Sequence, residues 1–119
     1  MGRMVTFMGR ILTSGWTSNV LGVGVSEDTA VLVDDNGIGT MVGKGPALFV
    51  RNQPQSKLTC EPHSPLTFTE LSVFKFADGL SNHGAKFDFK SWTGSGGSTY
   101  TLSAVNGVLN STQPGGSIY

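Results

Sequence analysis

The sequence predicts an α+β chain, one N-terminal helix followed by mostly antiparallel β-strands. Three observations carry that prediction: helical apolar spacing occurs only near the start, charged residues, which include the best charged helix formers, make up just 13% of the chain, and glycine takes 17 of 119 positions, about twice its usual share. A chain of 119 residues, 38% hydrophobic, has room for one ordinary domain over 1–119 and contains no run of ~20 apolar residues that would span a membrane. Lys plus Arg and Asp plus Glu are 8 each, so the formal net charge is zero, which excludes a nucleic-acid reader that works through a basic surface. The single cysteine, Cys60, excludes an internal disulfide framework and a thiolate zinc cage, and leaves the compartment open.

Met4, Phe7, Met8, Ile11 and Leu12 recur at i, i+3, i+4, i+7 and i+8, one face of a helix that Gly15 closes, with Arg3, Thr6 and Arg10 opposite. Val20-Leu21-Gly22-Val23-Gly24-Val25 is apolar on both parities and so predicts a strand covered on both faces. The polar turn Ser26-Glu27-Asp28-Thr29 separates it from a second buried strand, Ala30-Val31-Leu32-Val33. Asp34-Asp35-Asn36-Gly37 then predicts a hairpin into Ile38-Gly39-Thr40-Met41-Val42-Gly43. Pro46 cannot donate to a ladder, so it begins the next strand, 46–51, or places it at an edge.

Residues 52–65 are polar and broken by Pro54, Pro62 and Pro65, which predicts a long loop. The β-branched and aromatic run 67–76 and the alternating Phe87-Asp88-Phe89-Lys90 predict strands, with loops at Asp78-Gly79-Leu80-Ser81-Asn82-His83-Gly84 and Gly94-Ser95-Gly96-Gly97-Ser98. Tyr100-Thr101-Leu102-Ser103-Ala104-Val105, Asn106-Gly107 and Val108-Leu109 predict a last hairpin, and the tail 111–119 has little to bury. A buried Gly-rich strand beside one helix belongs to an α/β layer, yet no second helix is predicted to cover the other face, which implies a missing partner segment.

No serine meets the Gly-x-Ser-x-Gly elbow of a hydrolase: Asp28 stands where Ser26 would need its closing glycine, and Ser98 and Ser117 are followed by no helix. His63 and His83 read as solvated loop residues, and Cys60-Glu61-Pro62-His63 supplies three ligand types where a structural zinc wants four ligands. Gly22-x-Gly24 lacks the third glycine of a dinucleotide fingerprint, since Glu27 stands there, and Gly43-Lys44-Gly45 lacks the Ser or Thr of a phosphate-binding loop. Asn110-Ser111-Thr112 is a glycosylation triplet that matters only in a secreted protein. This leaves Arg3 and Glu27. A carboxylate in a turn between buried strands is either desolvated and matched to a cation, or it satisfies local backbone amides.

Gly22-Val23-Gly24-Val25-Ser26-Glu27-Asp28-Thr29-Ala30-Val31-Leu32-Val33 resembles the Gly-Ile-Gly-Ile-Asp-Glu-x-Thr-Ala segment of the cyanophycinase-like serine peptidases. Met1-Gly2-Arg3 and the helix after it are similar to the end of that family's Arg-x-Arg-x-x-Arg-Leu motif. The Asn36-Gly37 hairpin, Val42-Gly43-Lys44-Gly45, Pro65-Leu66-Thr67 and Phe87-Asp88-Phe89 are similar to its β-rich C-terminal part, so the resemblance covers nearly the whole chain. It implies the C-terminal part of a serine-type exopeptidase related to peptidase E, with an α/β/α core like that of class I glutamine amidotransferases. The implied substrates are aspartyl or β-aspartyl-arginine peptides, with no cofactor, no metal, no nucleic acid and no membrane as partner. The family's nucleophilic serine and base histidine would both precede Met1, and His63 and His83 match neither position.

Two site residues carry over by their motif positions: Arg3 as a site arginine, and Glu27 as the carboxylate near the substrate's basic end. Ser26 stands where the family has aspartate, so another aspartyl-peptide specificity fits as well as cyanophycin. The alternative is a non-catalytic β-rich binding or assembly module derived from the same family. In either case an exposed sheet edge would favour homo-oligomers.

Overall fold

The computed structural model describes residues 1–77 and 85–119. Helix α1 (Gly2–Thr13) opens the chain. The strands after it are β1 (Leu21–Val25), β2 (Thr29–Val33), β3 (Ile38–Gly43), β4 (Ala47–Arg51), β5 (Leu58–Thr59), β6 (Thr67–Phe76), β7 (Lys86–Asp88), β8 (Thr93–Ser95), β9 (Ser98–Val105) and β10 (Val108–Ser111). One sheet runs β1-β4-β6-β9-β10, with β5 paired to β6, and the other runs β2-β3-β7-β8. The loop predicted at 78–84, His83 included, lies outside the described residues.

The α/β/α expectation is overturned. Strand makes up 46% of the described residues, in two mostly antiparallel sheets, and a broad α+β description with one N-terminal helix fits. The physical reason is connectivity. Parallel strands need crossovers, usually helical, whereas α1 precedes every strand and the pairs β2·β3, β3·β7, β7·β8 and β9·β10 are antiparallel. The two strands expected to be covered on both faces are not. In β1, Gly22 is buried while Leu21, Val23 and Val25 remain 42 to 46% exposed, and in β2 Leu32 is 59% and Val33 52% exposed.

Contacts divide the chain into two compact units, Met1–Gly22 with Val50–Val73 and Tyr100–Tyr119, and Val23–Phe49 with Phe74–Thr99. In the first unit, α1 buries Val5, Met8 and Gly9. The buried stripe is therefore rotated from the expected one, and Phe7 is left 69% exposed. A side chain at position 9 would press on Leu58 Cδ1 at 3.2 Å, and the Met4 and Met8 thioethers lie over Gly22, so close packing fixes the helix against its neighbours. Gly15 does close the helix: at φ 71° it donates its N–H to the Leu12 carbonyl, and Trp16 N–H reaches Ile11, which together satisfy orphan carbonyls of the last turn. Between α1 and β1, the Asn52 side chain accepts from Val20 N–H at 2.7 Å and donates to the Ser18 carbonyl at 3.2 Å.

The second unit is built around aromatic rings. Phe49 stacks on Phe87 with centroids 3.8 Å apart and meets Phe76 edge-on at 5.7 Å, while Phe74 meets Phe76 at 5.0 Å and Trp92 meets Phe87 at 5.1 Å. Met41, Ala47 and Ala85 complete this core. Its four-stranded sheet holds the first predicted hairpin, in which Val33 pairs Gly39.

That hairpin and the last one share Asn-Gly but not a turn. Gly37 alone takes positive φ in the first, with Gly37 N–H bonded to Asp34 O and Asp34 N–H to Ile38 O, a type I turn followed by a left-handed glycine. In the second, Asn106 at φ 50° and Gly107 at φ 81° join Val105 directly to Val108, the two-residue type I′ turn. β4, which Pro46 precedes, lies between β1 and β6 rather than at an edge, so the proline begins the strand.

Candidate functional site

The turn of residues 26–29, which leads from β1 into β2, is clasped by the segment 43–46. Ser26 N–H donates to the Pro46 carbonyl at 3.1 Å, and Lys44 N–H donates to the Asp28 carbonyl at 3.1 Å. Thr29 Oγ1 completes the clasp from both sides, accepting Gly45 N–H at 2.8 Å and donating to the Glu27 carbonyl at 3.0 Å. Asp28 sits in the left-handed region at φ 52°, where aspartate is among the few side chains found regularly.

The opposing glycines are required here by space. Gly43, at φ 115° and paired with Thr29, faces the Asp28 carbonyl so closely that a Cβ would run into it, and a Cβ at Gly45 would stand 2.6 Å from Ser26 Cβ. The motif residues Glu27-Asp28-Thr29 and Gly43-Lys44-Gly45, far apart in the sequence, are thus two halves of one local structure.

Glu27 rides on the outside of this turn and is exposed. Among the described residues no hydrogen bond or ion pair holds its carboxylate, and the local backbone bonds come from Thr29 instead. Neither sequence expectation for Glu27, desolvation or local amide capping, describes this carboxylate: it is a solvated charge on a fixed backbone. The residue that sequence reasoning missed is Thr29. Its signal was available, because Ser and Thr at turn ends commonly bond the backbone two residues away.

Arg3 lies in the first turn of α1, exposed, in the first unit, while Glu27 lies in the second. A cation in the first turn meets the positive end of the helix dipole, so helix electrostatics do not account for Arg3, whereas Arg10 in the last turn is favourably placed. The other candidates weighed in the sequence form no part of the clasp. His63 is exposed at φ 62°, Cys60 is half-buried opposite Gly9, and Ser98 and Ser117 are exposed at the start of β9 and in the tail. Among the described residues no three of His, Cys, Asp and Glu gather as metal ligands, and no helix is long and apolar enough to cross a membrane.

No family model matches the chain, and neither a curated protein nor a solved structure matches it.

Proposed function

We propose that this chain is the substrate-side part of a cyanophycinase-like serine peptidase, cleaving aspartyl or β-aspartyl-arginine peptides, with the nucleophilic serine and base histidine supplied by residues outside these 119. One observation carries the reading: the residues that bear the family resemblance form a clasp that fixes the backbone under an uncommitted carboxylate, Glu27. A preorganised, solvated carboxylate is suited to an incoming guanidinium, because no internal partner has to be given up on binding. Arg3, in the other unit, is exposed where the helix gains nothing from it.

The test uses the gene product carrying the residues upstream of Met1, assayed on β-aspartyl-arginine. Glu27→Gln is expected to raise KM about tenfold with kcat little changed, since a binding contact equal in ground and transition states is lost. An unchanged KM removes Glu27 from the site.

The alternative, a non-catalytic binding or assembly module, draws on a different observation. Leu21, Val23 and Val25 are exposed together on β1, an edge strand without a charged residue to discourage pairing. Under that reading the upstream-extended protein hydrolyses nothing.

A further inference from the structure

Strand β6 should bury every second residue, yet its buried side chains are Phe68, Leu71, Val73 and Phe76. That alternation breaks twice, from Phe68 to Leu71 and from Val73 to Phe76, and only the first break holds a residue of positive φ. Within it Glu70 stands at φ 57°, a left-handed conformation that glycine usually fills at such a bulge. Two hydroxyls hold it there: Glu70 N–H donates to Ser103 Oγ at 3.0 Å, and Ser56 Oγ donates to the Glu70 carbonyl at 3.1 Å. A non-glycine residue kept in a costly conformation by dedicated partners is a device for aiming a side chain.

Glu70 is exposed and lines a groove of about 470 Å³ whose other walls include Arg51, Gln53, Gln55, Thr101 and Thr112. Every lining residue is polar or charged, which excludes an apolar ligand. Among the described residues no hydrogen bond or ion pair engages the Arg51 guanidinium or the Glu70 carboxylate, so one groove presents an uncommitted cation and an uncommitted anion. The guanidinium fork matches a carboxylate, the Glu70 carboxylate matches an ammonium, and the two glutamine amides can serve a peptide group between them.

We propose that this groove binds a small zwitterion of the amino-acid or dipeptide class, carboxylate at Arg51 and ammonium at Glu70. The proposal rests on these residues alone and stands whichever chemistry Glu27 serves.

The test is an NMR titration of the full chain with glycylglycine, against N-acetylglycine and glycinamide as probes carrying only one of the two charges. Glycylglycine is expected to saturate with shifts centred on Arg51, Glu70, Thr101 and Thr112, and to bind about tenfold tighter than either control. Arg51→Gln and Glu70→Asn are each expected to lower glycylglycine to the level of the controls. Asparagine tolerates the left-handed backbone, so Glu70→Asn separates the charge from the fold. Glu70→Gly relieves the backbone strain and also removes the charge. If it keeps full glycylglycine affinity, Glu70 is a bulge residue only and the proposal fails. Equal affinity for the three probes, or no saturable shift, overturns it too.

Discussion

Thr29 and Asp88 show how much one side chain can settle. Thr29 Oγ1 is the only side-chain group described that links the two halves of the clasp, so Thr29→Val, nearly isosteric, leaves Gly45 N–H without its acceptor. That change is expected to cost about 1–3 kcal/mol in urea unfolding and to alter the amide shifts of Glu27 and Gly45. A loss below a few tenths would show that the clasp holds without it. Asp88 Oδ1 accepts from Lys90 N–H at 2.8 Å and Ser91 N–H at 3.3 Å, and these bonds, Lys90 first, hold its carboxyl below the usual value of 3.8. A lowered folded value means that the stability the carboxylate contributes is present above 3.8 and is lost as pH falls through the lower folded value. The gap between wild type and Asp88→Asn in denaturation midpoint is therefore expected to shrink on acidification below 3.8, and a gap constant with pH would contradict this role.

At the scale of elements, strong patterns were legible and short ones were not. The helix with its Gly15 closure, both Asn-Gly hairpins and the strand 67–76 follow from periodicity and turn chemistry read in the sequence. β5 and β8 were not legible. Two- and three-residue strands carry no period, and they sit in segments whose prolines or glycines signal loops. The helix face was misplaced by one position because Val5, rather than Phe7, is buried. Glycines in β1 read as a doubly covered strand, but only Gly22 is buried, under two methionines, and the valines face outward. Of the candidate site, the residue types and the turn were legible, whereas its clasp depends on a pairing between residues 26–29 and 43–46 that no local pattern announces. The bulge at Glu70 was hidden for a similar reason, since a positive φ at glutamate has no sequence signal.

For the whole molecule, the distribution of aromatic residues is the main clue to what holds it together. Five of the seven phenylalanines, Phe49, Phe74, Phe76, Phe87 and Phe89, gather in the second unit with Trp92, and Phe49 is fully buried at their centre. Phe49→Ala is expected to destabilise that unit by about 3–5 kcal/mol, read as a loss of cooperative unfolding monitored by Trp92 fluorescence. A loss under about 1 kcal/mol would mean the rings repack around the gap. The neutral, glycine-rich composition thus belongs to two small β-rich units, one that includes the helix and one built around stacked rings. In the second, the clasp under Glu27 is the feature on which the proposed substrate site rests. The measurement that tests the central claim is steady-state hydrolysis of β-aspartyl-arginine by the upstream-extended protein and its Glu27→Gln variant. The expected result is turnover abolished by a serine-directed reagent, with KM about tenfold higher in the variant and kcat preserved. No turnover by the extended protein, or turnover with the same KM in both, would contradict it.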